Sequence, residues 1–257
     1  MIRIRVLGSG DTAGVPVLGC RCLVCSAGQI IRARPSLAIF CNSGWCLIDC
    51  GPDFKQQTFK FDFANFLGVC LTHAHLDHVL GIPELREIAR TFRKKVSLYM
   101  SEDTYNMLAT RFKDRIKVED SIENSSLELL SVKLFKNYES FLVGDLQFQP
   151  IELMHGNLKT SGFRLGNFAY CSDCNFISDQ SIEFLTGINT LILDAGQNQF
   201  SKDHFSVSEA ILVGQRLKVD RLFLTHLGHE FEYSSISDRL PEWVSVLEDG
   251  MEFTISL

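Results

Sequence analysis

The chain has 257 residues, 46% apolar and 22% charged, with 25 Lys and Arg against 31 Asp and Glu for a net charge of −6. That length can bury a large core, and the excess of acid argues against a nucleic-acid binder, whose affinity rests on Lys and Arg neutralising phosphates. No apolar run approaches the ~20 residues needed to cross a bilayer, so no membrane association is expected.

Residues 2–7 alternate as a strand, with no apolar leader or small-residue cleavage site before them, which predicts a cytoplasmic protein. Two further strands, 37–41 and 45–49, flank the turn signal Asn42-Ser43-Gly44. Next come a buried strand (66–72), a helix (83–92), a strand (96–100) and an amphipathic helix (102–112). The basic group Arg90, Arg93, Lys94 and Lys95 reads as a solvated helix end. Strands at 127–135, 146–154, 162–165 and 168–172 lead to a helix near 181–185. A strand (190–194), a helix (206–217) that Ser206 could cap, a strand (221–225), a short helix near Glu242 and a last strand (252–255) complete the pattern. No linker or low-complexity tract divides the chain, so 1–257 reads as a single domain. Strands and helices mix in both halves, predicting an α/β (α+β) architecture of two sheets packed together with helices outside, a four-layer αββα sandwich. Residues 68–73 and 221–226 both run an apolar strand into Leu-Thr-His, as pseudo-repeated halves would.

Nine Cys and seven His stand out. In a reducing compartment such a cysteine count points to metal binding before disulfides. The strongest signal is Thr72-His73-Ala74-His75-Leu76-Asp77-His78: three imidazoles and a carboxylate within six residues, straight after an apolar strand, suit a borderline divalent metal. The second is Cys20-Arg21-Cys22-Leu23-Val24-Cys25, three thiols spaced for one tetrahedral zinc that still lacks a fourth ligand. Cys41, Cys46, Cys50 and Cys70 fall in strand patterns and read as small core residues. Cys171 and Cys174 form a C-x-x-C around Asp173, with little to support a redox or metal role.

The H-x-H-x-D-H run resembles the signature of the metallo-β-lactamase fold superfamily, in which it is followed by a further His, an Asp and a final His. His155, Asp173 and His226 stand at those later positions, and Leu47-Ile48-Asp49-Cys50-Gly51 is similar to the family's upstream strand. The resemblance implies two active-site divalent ions, one on His73, His75 and His155, the other on Asp77, His78 and His226, with Asp173 bridging and Asp77 counted among the catalytic groups. Asp49 and Asp194 are candidate carboxylates that orient ligand imidazoles, capping a strand being the alternative for Asp194. His229, three residues past His226, is then the natural fourth ligand of a structural zinc on Cys20, Cys22 and Cys25.

Together with Gly8-Ser9-Gly10 and Ala13-Gly14-Val15-Pro16, the C-x-C-x₂-C loop makes the chain similar to the phosphodiesterases of the carbon–phosphorus lyase pathway, which hydrolyse phosphoribosyl 1,2-cyclic phosphate. That likeness implies a small cyclic or alkyl phosphodiester as substrate, zinc or manganese at the active site, and His204 as general acid. A homodimer is the base-rate expectation. Rival readings are a pyrroloquinoline-quinone-biosynthesis-like protein, a non-catalytic metal-binding protein, a thioester hydrolase and a tRNA 3′-processing endonuclease. The last usually carries a tRNA-clamping arm between the third-motif His and the bridging Asp. Here only 18 positions separate His155 from Asp173, which disfavours tRNA.

Overall fold

In β1 (Ile2–Gly8), Ile2, Ile4 and Val6 are buried while Arg3 and Arg5 keep contact with solvent, the period of two that a half-covered strand needs. The computed structural model describes residues 2–111, 129–197, 200–230 and 239–256. After β1 come α1 (Leu23–Ala27), β2 (Ser36–Cys41), β3 (Gly44–Ile48), α2 (Phe54–Thr58), β4 (Phe66–Cys70), α3 (Leu76–Val79), α4 (Ile82–Phe92), β5 (Val96–Ser101) and α5 (Glu102–Arg111). The second half holds β6 (Leu130–Phe135), β7 (Phe141–Val143), β8 (Leu146–His155), β9 (Leu158–Leu165), β10 (Phe168–Cys171) and α6 (Asp179–Leu185). It ends with β11 (Thr190–Asp194), α7 (Val207–Leu217), β12 (Arg221–Thr225), β13 (Val244–Val246) and β14 (Glu252–Ile255).

The strands form two seven-stranded sheets, ordered β14-β1-β2-β3-β4-β5-β6 and β13-β12-β11-β10-β9-β8-β7. Alternation sorts their side chains into layers. Ile4, Ile39, Ile48 and Cys70 of the first sheet meet Phe148, Phe163, Tyr170, Ile192 and Phe223 of the second in the central core. On the outer face of the first sheet, Leu47, Val69 and Leu98 pack against Ile82, Leu85 and Ala89 of α4. Outside the second, Leu191, Leu193, Leu222 and Leu224 pack against Ile182 and Leu185 of α6 and Ala210 and Leu217 of α7. Burying each such side chain contributes about 1.5–3 kcal/mol, which fixes the register because a one-residue slip would turn every strand inside out. The result is an αββα sandwich.

Several elements differ from the sequence expectation. No helix forms at Glu242; Val244 and Val246 instead pair in parallel with β12, where the alternating Val-Ser-Val pattern buries both valines. β9 begins at Leu158 rather than 162, because a tight turn with Gly156 at φ +59° lets β8 pair with it from His155 outward. The short α1, α2 and α3 and strand β7 carry too few residues for periodicity to reveal them. Phe112 and residues 127–128, expected at element ends, lie outside the described residues.

β3 to β6 run parallel in one sheet and β10 to β13 in the other. Residues that follow parallel strands collect at the carboxyl edge, where open α/β sheets bind ligands.

Candidate metal centre

That edge gathers the singled-out residues. Asp49 follows β3, His73 and His75 follow β4, and Asp77 and His78 lie on α3, so the first sheet supplies the contiguous motif. From the second sheet come His155 at the end of β8, Asp173 after β10, Asp194 at the end of β11 and His226 after β12. The two Leu-Thr-His segments thus deliver one imidazole from each sheet. Asp49, Asp173 and His226 hold left-handed φ values of 61°, 52° and 63°. For residues with a Cβ this conformation costs about 1–3 kcal/mol each and persists only where the surroundings enforce it.

Four of the imidazoles, His73, His78, His155 and His204, are anchored on one nitrogen. His78 Nδ1 donates to Asp49 Oδ2 at 2.7 Å, and His155 Nδ1 to the Asp203 carbonyl at 2.6 Å. His204 Nδ1 donates to Asp194 Oδ2 at 2.7 Å, a carboxylate also held by the backbone N–H groups of Cys174 and Gly196. The Thr72 hydroxyl donates to Asp49 Oδ2 at 2.9 Å, so it accepts from His73 Nδ1 at 3.0 Å. With Nδ1 engaged, each Nε2 is left to face inward.

Those inward atoms converge. His73, His75 and His155 bring ligand atoms within 4.8 Å of one another, and so do Asp77, His78, Asp173 and His226. Asp173 stands between imidazoles, Oδ2 3.1 Å from His78 Nε2 and Oδ1 3.0 Å from His226 Nε2. His204 joins the ring, its centroid 4.6 Å from His155 and 4.7 Å from His226. The Nε2 atoms of His73, His78 and His226 are buried and make no hydrogen bond. Buried polar atoms without partners are rare; several aimed at shared points beside two carboxylates are the donor set of borderline divalent cations. The residues therefore fit the two-ion group.

Charge follows burial and neighbours. Burial drives the imidazoles of His73 and His75 below their ordinary value. Burial opposes protonation of His78 and His226 too, but the Asp173 carboxylate outweighs it and raises both well above 6.5. For Asp77 and Asp173, burial is outweighed by these two histidines and the carboxyls fall well below the ordinary range.

At the second site, His229 Nδ1 lies 3.3 Å from Cys20 Sγ and 3.5 Å from both Cys22 Sγ and Cys25 Sγ. One ring nitrogen carries at most one proton, so these contacts cannot be three hydrogen bonds. A tetrahedral zinc with bonds of ~2.3 Å to sulfur and ~2.05 Å to nitrogen would set each N–S pair about 3.5 Å apart, which the four donors match. Cys22 caps α1 by accepting from the Cys25 N–H. That bond, with His229 and the other thiols, lowers its thiol to about 6 despite desolvation.

Sequence reasoning missed Thr12, whose hydroxyl donates to Asp77 Oδ2 at 2.9 Å, and Ser172, which donates to Asp173 Oδ2 at 2.6 Å. Lone hydroxyls carry no spacing signal. Of the cysteines outside the loop, Cys46, Cys50, Cys70, Cys171 and Cys174 are buried, and all nine are free thiols.

A profile for the β-lactamase superfamily domain matches residues 44–227. The crystal structure of a diphosphatase from the PhnP family is 28% identical with a TM-score of 0.90, covering 100% of this chain and 99% of that one. Zinc-bound PqqB from Methylobacterium extorquens, 19% identical, shares the fold with a TM-score of 0.71 over 98% of this chain and 100% of its own. An octanoyltransferase of Porphyromonas gingivalis is 30% identical over 261 residues, 99% of this chain but 52% of that protein, so the chain spans about half of that relative's length. The chain belongs to the β-lactamase superfamily and has the metallo-β-lactamase fold.

Proposed function

We propose that the chain, acting as one domain, is a binuclear metal-dependent hydrolase of small cyclic or alkyl phosphodiesters. The observation that carries this reading is the pairing of two adjacent donor groups, His73/His75/His155 and Asp77/His78/Asp173/His226, in a chain similar over its whole length to a PhnP-family diphosphatase. Zinc or manganese suits the active-site donors, and zinc the Cys₃His set. Bound there, two divalent ions supply charge neutralisation at the phosphoryl oxygens and a water acidified enough to attack at neutral pH.

The chain's own groups do the rest. Asp49, Thr72 and the Asp203 carbonyl hold the imidazoles of His78, His73 and His155 in fixed tautomers, so Nε2 presents a lone pair. His204, half-buried and anchored through Nδ1, lies beside His155 and Asp173, with a ring nitrogen within 4.8 Å of their ligand atoms. There it serves as general acid, protonating the departing sugar or alkyl oxygen, which is otherwise a poor leaving group. The free thiols fit a reducing, cytoplasmic setting, and no helix among the described residues is long and apolar enough to cross a membrane.

The test is hydrolysis by metal-reloaded protein of bis-p-nitrophenyl phosphate and of a five-membered cyclic alkyl phosphate, repeated with His204→Ala. The substitution is expected to cost about 10²–10⁴-fold on the alkyl substrate and far less on the nitrophenyl one, whose leaving group needs no proton. Equal losses would sink the acid role; no turnover with two ions bound would favour a binding protein. The octanoyltransferase relative, matched over 52% of its length, favours one second reading, action on an octanoyl group. An octanoyl thioester in the same panel, turned over faster than either diester, would select it.

A further inference from the structure

The link from Thr12 to Asp77 joins two residues 65 positions apart, and it belongs to a larger clamp. Ser9 is fixed by Asp249, which accepts from both its N–H and its hydroxyl at 2.8 Å. Gly10 then pairs with Leu227, whose N–H donates to the Ser9 carbonyl at 3.0 Å. Arg32 Nη1 donates to the Gly228 carbonyl at 2.9 Å. Asp11 Oδ2 lies against Gly228 as well, 2.8 Å from where a Cβ on that glycine would stand. One N-terminal segment therefore holds Asp77 through Thr12 and His226 through its neighbour Leu227, while Cys20, Cys22 and Cys25 gather around His229 three residues further on. His73, His75 and His155 receive no hydrogen bond from this segment; Thr72 and Asp203 anchor His73 and His155.

We propose that Thr12 is a positioning residue for one metal position only, that of Asp77, His78 and His226, and that its loop couples this position to the Cys₃His site. The inference rests on the two-ion reading above. Thr12 is exposed, so Thr12→Val removes the hydroxyl and keeps the shape.

The experiment dialyses wild type, Thr12→Val, Thr12→Ser and Cys22→Ser against graded chelator and measures zinc per chain, with cobalt-substituted protein to separate thiolate absorption from that of the imidazole sites. Thr12→Val is expected to weaken one active-site ion by about 10–100-fold and leave the other and the thiolate site unchanged. Thr12→Ser restores it, and Cys22→Ser weakens the same ion. Affinities in Thr12→Val within twofold of wild type, or equal loss of both active-site ions, overturn the inference even if Cys22→Ser fails to fold. A wild-type chain that holds only one ion outside the thiolate site overturns the two-ion reading and this inference together.

Discussion

The two donor clusters use overlapping residue types to opposite ends. At the Cys₃His site the donors come from the segment that leads into and begins α1 and from the loop after β12, and the support among the described residues is local: the N–H groups of Cys22, Cys25 and Val17 point at sulfur. Four donors close a tetrahedron, so such a site pins chain to chain and offers no open position. The imidazole–carboxylate centre draws on both sheets, and its donors are backed by Asp49, Thr72, Ser172, Asp203 and Thr12. Its deep side is buried at His73, His78, Asp173 and His226, whereas His75, His155 and His204 are half-buried and face the approach. Under the proposed function, what stands behind the donors and what is left open separate a staple from a reaction centre, beyond the choice of ligand atoms.

Asp173 tests this most severely. It stands closer to both His78 and His226 (3.1 and 3.0 Å) than Asp77 does (3.4 and 3.9 Å), and its removal leaves the two imidazoles facing each other across the centre, their rings 6.3 Å apart and nearly parallel. The charge stabilisation supplied at such a site is worth several kcal/mol, so Asp173→Ala is expected to lower kcat/KM on diesters by about 10³-fold and to reduce retained active-site metal. Zinc in the thiolate site should remain. Metal content of the purified variant beside its rate decides it: loss of thiolate-site zinc as well would mean that the two clusters are not separable units.

A smaller effect is expected behind the ligands. Asp49 is fully buried, and burial pushes its carboxyl up while the His78 imidazole opposes that shift. Asp49→Asn keeps the shape and removes the charge that orients His78, so metal affinity at that position should fall about 10–100-fold. Isothermal titration of the metal-free variant measures it; an unchanged affinity would show that the open centre needs no more backing than the staple does.

The contrast also explains what the sequence could reveal. The H-x-H-x-D-H run and the C-x-C-x₂-C loop are contiguous, so spacing exposes them. His155, Asp173, His204, His226 and His229 are isolated, and only their order, matched to a known pattern, singles them out. The fold class was legible because the longer sheet strands alternate or run apolar. Thr12 was illegible because its role exists only once its hydroxyl is folded against Asp77 of α3. Val244 to Val246 misled because β13 is decided by pairing with β12, a tertiary effect.

The smallest expected effect concerns acid and base in the metal-free protein, where the two clusters should respond with opposite signs. His78 and His226 are raised above the ordinary 6.5 by Asp173, so their contribution to stability is complete below 6.5 and is lost as pH rises through the raised values. Asp77 and Asp173 are depressed below the ordinary 3.8, so their contribution is present above 3.8 and is lost only as pH falls through the depressed values. Cys22 is depressed from 9.0 to about 6, chiefly by the Cys25 N–H. Its contribution therefore grows between pH 6 and 9, whereas that of the histidines declines as pH rises above 6.5 toward their raised values. Hydrogen exchange of reduced, metal-free protein, corrected for intrinsic rates, should show protection falling around residues 73–78 and 226 and rising at Cys25 over that interval. With metal bound, cations replace the imidazole protons and the loss at the centre should disappear. Parallel changes at both clusters would mean that they titrate as one unit, and the separation of staple from centre would fail.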